Sequence, residues 1–379
     1  MADEPSRTLP PVAFAPCADY EPASLDAAIR RIGALLGDAG APSLRGRRVL
    51  VKPNLLADRP PDAAVTTHPA FLRAVLRWLR EVGVAGIRVG DSPASAVRLR
   101  QVWERTGVEA ACRDEGVELL SFEAGEMRLV RRDGIELLVA AAALDADLIV
   151  NLPKVKTHGM TLLTCATKNL YGLLPGYQKT QRHREYPSPH AFAGLLRALE
   201  RSLPPQICLA DGIVGMEGDG PSNGVPRFLG FVAASADPIA LDLAVCRATG
   251  VPARRVPYLA DVAHLRPVEL GELPPGFPVR LRLPVTWKAL AVPRPLARLC
   301  ARWLWIRPSF NAGDCVRCGR CVAACPKSAL AQERGKVPEL RDPPACIGCC
   351  CCHEVCPANA IAMRKGPLLR IAGVFSELS

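Results

Sequence analysis

The sequence predicts an α/β domain built on a largely parallel, layered sheet, followed by a small α+β domain of the bacterial ferredoxin type. Residues 1–250 alternate short apolar runs with segments of helical periodicity. Residues 251–312 are rich in proline, and residues 313–365 carry one cysteine spacing twice. Strands that alternate with helices favour a parallel sheet, because a helix returns the chain between parallel neighbours.

The first half of the alternating region predicts three strands and three helices. The strands span residues 48–52, 86–90 and 117–122, and the helices span residues 69–82, 97–106 and 108–114. The strands are short apolar runs, whereas apolar residues recur every three or four positions in the helices.

The second half predicts a hairpin and then continues the alternation. Residues 127–131 and 135–139 flank Asp133-Gly134, a pair that favours a tight hairpin turn. Further strands are predicted at residues 146–151, 206–210 and 228–234, and further helices at residues 190–201 and 238–249. We therefore expect residues 1–250 to form one domain.

Residues 251–312 have the composition of an extended connector, since they contain ten prolines. We expect this segment to wrap the first domain or to link the two domains. A short helix is predicted at residues 295–305, with an apolar side that packs between the domains. Contact of that side with a membrane surface is the less favoured alternative. Residues 366–379 are expected to form a C-terminal tail.

The cysteines give the strongest chemical signal. Two runs of the form C-x2-C-x2-C-x3-C-P comprise Cys315, Cys318, Cys321 and Cys325, then Cys346, Cys349, Cys352 and Cys356. In this spacing three thiolates hold one cluster, and the fourth cysteine reaches the other cluster. The prediction is two 4Fe–4S clusters. Cys315, Cys318, Cys321 and Cys356 would hold one, and Cys346, Cys349, Cys352 and Cys325 the other.

Alternatives to this interpretation are weaker. Structural zinc does not require the x3-C-P ending, and a disulfide framework belongs in an oxidising compartment. Cys350 and Cys351 occupy non-ligand positions in the second run. We expect them to pack beside a cluster. The alternative is that one of them replaces a predicted ligand or that the cluster is of an unusual type.

Bulk composition narrows the choice of partners and location. A net charge of +11 is compatible with acidic partners, membrane surfaces or nucleic acid. Nucleic acid is unlikely, because no compact basic run is interleaved with aromatic residues. The N-terminal residues lack an apolar leader, and no apolar stretch approaches the length of a membrane span. We therefore expect a cytoplasmic protein without a transmembrane segment.

Lysine is scarce, which makes its positions informative. Only nine of the 48 basic residues are lysine, yet Lys154, Lys156, Lys168 and Lys179 fall close together. Lysine differs from arginine in hydration and in its ability to lose a proton. These lysines therefore suggest a function, although chance clustering on a solvated loop remains the alternative.

The polar residues that follow the predicted strands suggest one active site, since ligands bind at the carboxyl ends of parallel strands. Lys154, Lys156 and His158 are predicted to position a substrate and donate protons. Asp91 and Asp211 are predicted to orient the substrate or a divalent metal. The substrate-binding set comprises Lys52, Asn54, Lys168, Asn169, Glu217, Gly218 and Gly220.

The last three residues belong to a glycine-rich loop at residues 215–224. Such a loop can cradle phosphate through its backbone N–H groups, or it can act as a lid over an active site. It is not a P-loop or a dinucleotide-binding fingerprint, because the required motif residues are absent. Both uses stay open at this point.

Six motifs resemble the family called domain of unknown function 362. They are KPN at residues 52–54, TTHP at 66–69, GDSP at 90–93, LPKVKTH at 152–158, TKNLYG at 167–172 and DGIVGMEGDGP at 211–221. Members of this family often carry a C-terminal ferredoxin module. The resemblance spans roughly residues 10–250 and the cysteine region. It implies the two-domain architecture and leaves substrate and reaction open.

The leading functional hypothesis is an oxidoreductase. A soluble donor such as ferredoxin or flavodoxin would pass electrons through two clusters to an anionic substrate, or to an unidentified small-molecule cofactor. A non-catalytic electron carrier or maturation partner is the second hypothesis, and it predicts no small-molecule pocket at the strand ends. A lyase or isomerase with a structural or sensing cluster is the third, and it predicts turnover without reductant.

Overall fold

A ten-stranded sheet organises the larger domain of the computed structural model, which describes residues 9–94, 97–284, 303 and 305–367. Its strands are β1 (Val12–Pro16), β2 (Arg48–Pro53), β3 (Gly86–Asp91), β4 (Glu118–Ser121), β7 (Leu148–Leu152), β8 (Lys154–His158), β9 (Leu162–Thr164), β10 (Gln206–Glu217), β11 (Val225–Ser235) and β12 (Glu269–Gly271). The main order is β12-β1-β11-β10-β7-β2-β3-β4. The five strands from β10 to β4 are parallel, as the alternating sequence predicts.

Helices cover both faces of this sheet. They are α1 (Pro22–Asp38), α2 (Pro69–Val82), α3 (Leu99–Arg105), α4 (Val108–Asp114), α5 (Ala141–Leu144), α6 (Ala166–Asn169), α7 (Gly176–Glu185), α8 (Pro189–Glu200) and α9 (Pro238–Thr249). Alternate residues of β2 enter opposite apolar cores: Leu50 joins one, and Val49 and Val51 join the other. A strand buried on both faces is continuously apolar, which explains why its run was recognisable.

Local sequence signals set several element boundaries. Pro69 opens α2, where the His68 ring accepts a hydrogen bond from the Ala70 N–H at 3.2 Å, and the helix ends at Gly83 with a φ of 85°. The predicted hairpin is also confirmed. Its strands are β5 (Met127–Arg132) and β6 (Ile135–Ala140), joined by Asp133 and Gly134, both with positive φ.

The smaller domain is held together by two short antiparallel pairs. Strand β13 (Ile306–Phe310) pairs with β16 (Ile361–Lys365), and β14 (Leu330–Ala331) pairs with β15 (Glu339–Leu340). Its two one-turn helices are α10 (Arg320–Ala323) and α11 (Cys351–Glu354). The domain therefore begins at β13, before the predicted boundary at residue 313, because β13 closes against β16.

The two cysteine runs fold alike, and their helices occupy equivalent positions 31 residues apart. Each helix follows a residue in the left-handed region: Gly319 with a φ of 73°, and Cys350 with a φ of 65°. Cys350 thus occupies a backbone position that favours glycine. Cys351 is the structural counterpart of Arg320.

The smaller domain lies against the larger one through charged and backbone contacts. The Arg320 guanidinium donates to the Asp58 carboxylate at 2.9 and 3.2 Å. Arg59 donates to the carbonyl oxygens of Cys356 at 2.5 Å and Pro357 at 2.6 Å. Asp58 and Arg59 follow β2, so the smaller domain covers the carboxyl end of a parallel strand.

Much of the predicted connector belongs to the larger domain. Strand β12 joins the sheet beside β1, and Val256, Tyr258 and Leu281 are buried in one of its cores. Of the helix predicted at residues 295–305, only residues 303 and 305 lie among the described residues. None of the helices in the described part of the chain is long and apolar enough to cross a membrane.

Candidate functional site

A cavity of about 680 Å³ lies between the two domains and is partly open to solvent. We call it the lysine cavity. Polar side chains of the larger domain line it, namely Lys52, Asn54, Asp91, Lys156, His158, Lys168, Asn169, Lys179 and His183. The smaller domain contributes Ala324, Cys351, Glu354 and Val355. Seven of the twelve site residues predicted in the larger domain therefore meet at one place, and the ferredoxin-like domain forms one of its walls.

Lys52 and Asp91 form a buried ion pair at the ends of β2 and β3. Lys52 Nζ lies 2.7 Å from Asp91 Oδ1, and it also donates to the Pro53 carbonyl at 2.8 Å. Burial lowers the pKa of Lys52, an effect that the Asp91 charge opposes. Gly172 leaves room for this pair, since a Cβ there would lie 2.0 Å from Asp91 Oδ1.

Lys156 is fully buried in β8 and is held by two acceptors. Its Nζ donates to the Val65 carbonyl at 2.6 Å and to Asn54 Oδ1 at 3.2 Å. Burial, and then the charge of Lys168, lowers the pKa of Lys156 to about 7. A lysine with this pKa changes its charge near neutrality.

Three asparagines fix the floor of the cavity. Asn54 Nδ2 donates to Asn169 Oδ1 at 2.9 Å, and Asn169 Nδ2 donates to Asn151 Oδ1 at 2.8 Å. Asn151 Nδ2 donates in turn to the Ala166 carbonyl at 3.0 Å. This series of hydrogen bonds connects β2, β7 and α6, so it holds Lys168 beside the strand ends.

The backbone determines the tautomer of His158. Its Nδ1 accepts from the N–H groups of Met160 at 3.0 Å and Thr161 at 3.3 Å, which places the proton of the neutral ring on Nε2. Burial holds the pKa of His158 well below its usual value. The Nε2–H faces Glu354 Oε1 of the smaller domain at 3.5 Å, beyond a good hydrogen bond.

Lys168 occupies a central position among these groups. Its charge contributes to the lowered pKa values of Lys156, His158 and His183. Its Nζ lies 4.7 Å from the Tyr171 ring centroid and above the Phe192 ring at 5.6 Å. This ammonium therefore rests on aromatic faces rather than on a carboxylate.

Lys179 and His183 come from α7 and were not among the predicted site residues. Lys179 Nζ donates to the carbonyl oxygens of Ser92 and Pro93, and burial lowers its pKa to about 7. His183 stacks on Phe192 with ring centroids 4.6 Å apart. Lys179 had one signal, the clustering of scarce lysines, whereas His183 had none.

Three buried polar atoms of the cavity wall have no hydrogen-bond partner among the described residues. They are Thr164 Oγ1, His183 Nδ1 and Glu354 Oε1. Buried polar atoms are usually paired, so an unpaired set lining one cavity calls for a specific explanation. All three belong to residues that line the lysine cavity.

Lys154 and Asp211 were predicted to belong to this site, but they form a separate cluster. Lys154 Nζ lies 2.8 Å from Asp211 Oδ2 and 2.7 Å from the Tyr20 hydroxyl, which donates to Asp211 Oδ1 at 2.8 Å. The pairing register of β8 with β10 shifts between Lys154, which lies opposite Asp211, and Lys156, which lies opposite Met216, so the two lysines have different partners. Asp211 lies inside β10 rather than in a loop after it.

The predicted loop residues also lie outside the cavity lining. Glu217 ends β10 and pairs with Arg282 at 2.8 Å. Gly220 backs onto Thr157, where a Cβ would lie 2.1 Å from the carbonyl oxygen. The Asp219 carbonyl is 3.2 Å from His353 Nε2 of the smaller domain. Glu217, Gly218 and Gly220 therefore contact other parts of the larger domain, whereas Asp219 and Asn223 of this loop contact His353 of the smaller domain and Pro221 lines the cavity.

The eight predicted ligand cysteines line two smaller cavities. Cys325, Cys346, Cys349 and Cys352 surround about 350 Å³, and we call them the inner cysteine group. Cys315, Cys318, Cys321 and Cys356 surround about 310 Å³, and we call them the outer cysteine group. All eight are free thiols, and each group has the membership expected from the spacing. Four thiols around one space suit a 4Fe–4S cluster.

The described residues offer no comparable site for a single metal ion. No three His, Cys, Asp or Glu side chains in this part of the chain are arranged to hold one. Asp91 and Asp211, which we considered as metal ligands, each pair with a lysine in a separate cluster.

Helix α11 separates the inner cysteine group from the lysine cavity. Cys349 and Cys352 line the inner cysteine cavity, whereas Cys351, Glu354 and Val355 line the lysine cavity. The wall between the two spaces is thus about one residue thick at Cys351. Cys351 and Glu354 were missed as site residues, because only the helix orientation reveals which cavity they face.

Sequence comparisons identify both domains. The family described as domain of unknown function (DUF362) matches residues 49–247, and the 4Fe–4S dicluster domain matches residues 307–357. A relative, the thylakoid-associated protein sll1697 of Synechocystis sp., is 33% identical over 247 residues. That alignment covers 65% of this chain and 76% of the relative.

Two solved structures match part of the chain. The lactate racemase apoprotein of Thermoanaerobacterium thermosaccharolyticum is 16% identical, with a TM-score of 0.40, over 64% of this chain and 58% of its own. A protein from Thermotoga maritima is 13% identical, with a TM-score of 0.36, over 59% of this chain and 57% of its own. The chain thus spans less than two thirds of each of these proteins.

Proposed function

Since the chain belongs to the domain of unknown function (DUF362) family and is an iron–sulfur protein, we propose that it is an oxidoreductase that passes electrons through two 4Fe–4S clusters to a small anionic substrate. One observation carries this proposal: Cys351 lines the lysine cavity beside the inner cysteine group. A substrate in the lysine cavity would lie within a short electron-transfer distance of a cluster held by that group.

The two cysteine groups would each hold one cluster, the outer group through Cys315, Cys318, Cys321 and Cys356, and the inner group through Cys325, Cys346, Cys349 and Cys352. When bound, the clusters supply one-electron transfer at potentials that hydrogen bonds and exposure adjust. Cys350 lines the inner cysteine cavity without belonging to the predicted ligand set. Cys350 would therefore pack beside the inner cluster without ligating it.

The charges of the lysine cavity favour a substrate with two negative charges. Lys52, Lys156, Lys168 and Lys179 line it together with two carboxylates, Asp91 and Glu354. If all six are ionised, two positive charges remain without a partner. Ammonium groups bind carboxylate and phosphate oxygens strongly in a partly buried site. A dicarboxylate or a phosphorylated small molecule fits this requirement.

The neutral groups of the cavity would orient such a substrate. His158 presents its Nε2–H, and Thr164 Oγ1 is a hydroxyl without a partner among the described residues. Both can donate to a substrate oxygen. Tyr171, Val355 and Ala324 contribute apolar surface that excludes water from the reacting group. An organic anion held permanently, as a cofactor, would meet the same residues.

The lysine cavity also distinguishes this proposal from the alternatives. A carrier or maturation partner requires no small-molecule cavity at the strand ends. A lyase or isomerase would use the cavity without consuming electrons. In our proposal the protein works in the cytoplasm with a soluble electron donor.

Single-turnover reoxidation tests the proposal. The protein is reduced with dithionite under anaerobic conditions, freed of reductant, and mixed with 2-oxoglutarate, oxaloacetate or fumarate. We expect at least one of them to restore the visible absorbance of the clusters while gaining two electrons and two protons. Lys168→Ala should slow this reaction about tenfold or more, since it removes the central ammonium.

Lys336→Ala is the matched control, because Lys336 is exposed on the smaller domain and pairs with Glu333. Failure of all three compounds would refute electron delivery to a dicarboxylate, and equal rates in both variants would place the anion elsewhere. Conversion of a compound without any reductant would favour the lyase or isomerase.

A further inference from the structure

We propose that an acidic one-electron carrier protein binds the face around Val316, Arg317 and Cys318, so that electrons enter through the outer cysteine group. This inference rests on the proposed function and assigns a direction to its electron path. Each encounter would oxidise the carrier by one electron and reduce the cluster by one. No bond forms, and no proton need move.

The two cysteine groups differ in exposure. Cys318 of the outer group is exposed, and its neighbour Val316 is 63% exposed. Among the inner group, Cys352 is buried and the other three are only partly exposed. Electron transfer between proteins requires close approach to the redox centre. The outer group therefore offers the accessible edge, and the inner group offers the edge that borders the lysine cavity.

The face around Cys318 carries basic residues. Arg317 lines the outer cysteine cavity and is exposed, and Arg334 is exposed on a neighbouring loop. Gln332 holds that loop in place by donating to the carbonyls of Arg317 at 3.2 Å and Lys336 at 2.8 Å. Neither Arg317 nor Arg334 forms an ion pair within the described residues. An apolar tip between unpaired arginines suits an acidic protein surface.

An internal route continues from this face. Cys321 and Cys356 of the outer group pack in one apolar cluster with Cys352 of the inner group. The two thiol sets are thus in contact through buried side chains. From Cys352 the chain leads to Cys351 at the lysine cavity. The outer group is the point where electrons enter, and the inner group is the point where they leave.

Anaerobic stopped-flow mixing with a reduced plant-type ferredoxin, an acidic one-electron carrier, tests this assignment. The Arg317→Glu/Arg334→Glu variant should be reduced by ferredoxin about tenfold more slowly than wild type at low salt, because electrostatic steering is reversed. The difference should shrink at high salt, where charges are screened. Dithionite should reduce both proteins at the same rate.

The matched control is Arg132→Glu/Arg254→Glu, which makes the same change in net charge on the larger domain. It should retain at least about half of the wild-type rate, since only local charges steer the carrier. Equal slowing in both double variants, or wild-type reduction that is absent or insensitive to salt, would overturn the assignment. Lys168→Ala keeps this surface intact, so its loss of substrate reoxidation would be separable from a docking defect.

Discussion

Two buried lysine–aspartate pairs lie at the same edge of the sheet, and only one of them borders a cavity. Lys52 and Asp91 meet at 2.7 Å and line the space beneath the smaller domain. Lys154 and Asp211 meet at 2.8 Å, and the Tyr20 hydroxyl forms a hydrogen bond with each of them. This second pair does not line the lysine cavity. The chemistry of the two pairs is alike, and their surroundings differ.

This difference shows that a buried ion pair is not by itself a functional site. Burial lowers the pKa of both lysines, and an aspartate opposes the shift in each case. Lys154, Asp211 and the Tyr20 hydroxyl bond to one another, and Asp211 also accepts from the His68 N–H, as in a structural network. Around Lys52 the neighbouring wall leaves Thr164, His183 and Glu354 atoms unpaired within the described residues. Unsatisfied groups next to open space distinguish the candidate site.

The largest expected effect is on stability and concerns Lys154 and Asp211, the pair that borders no cavity. Asp211→Ala should lower the free energy of unfolding by about 3–5 kcal/mol, because it leaves Lys154 buried without a counter-charge. Binding of 2-oxoglutarate by the folded fraction should not change. Thermal unfolding and calorimetric titration measure the two quantities.

Glu81→Ala serves as the control for this change, because its pair with Arg30 is exposed and alanine suits the helix, so the free energy of unfolding should change little. If Asp211→Ala does not fold, Lys154→Met/Asp211→Leu should recover most of the stability, because it removes both charges. A site role for the pair would be supported instead if that double variant folded but failed to bind.

The next largest effect concerns Lys52 and Asp91, the pair that lines the lysine cavity. Gly172→Ala places a Cβ 2.0 Å from Asp91 Oδ1 and 2.6 Å from Lys52 Nζ. We expect a loss of about 1–3 kcal/mol in stability from this overpacking, together with weaker 2-oxoglutarate binding. Gly194→Ala is the control, because nothing lies within 4 Å of its added Cβ and alanine suits the helix interior. Equal behaviour of the two variants would mean that the pair does not shape the cavity.

The smallest effect is a pH dependence. Lys156 and Lys179 each have a pKa lowered to about 7, so their positive charges are present below that pH and are lost above it. The affinity for 2-oxoglutarate, whose carboxylates stay ionised, should fall about tenfold between pH 6 and pH 9. Lys156→Met should flatten the profile. An affinity that is constant over this range would show that these ammonium groups do not face the anion.

The sequence predicted those parts of the fold that depend on local periodicity. Strand β2 was recognisable from its continuous apolar run, and α2 from its spaced leucines and opening proline. Strand β1 and helix α1 were not predicted, although α1 has buried residues at helical spacing. Segment 154–158 was interpreted as a loop, because its lysines and histidine conceal a strand that is buried in full.

The sequence predicted many of the residues that form the candidate site, but not how the predicted residues divide into two separate clusters. The strand-end rule brought Lys52, Asp91, Lys156 and His158 to one edge. It could not separate Lys154 from Lys156, because that depends on a register shift between β8 and β10. It also could not foresee Glu354, since no local pattern specifies how the smaller domain lies on the larger one.

Anomalous diffraction at the iron edge, from crystals grown without oxygen, tests the central claim most directly. We predict two iron-rich peaks, one within the outer cysteine group and one within the inner group, with the latter separated from the lysine cavity only by helix α11 at Cys351. A single peak, or an inner cluster that lies away from the cavity with other residues between them, would contradict the account.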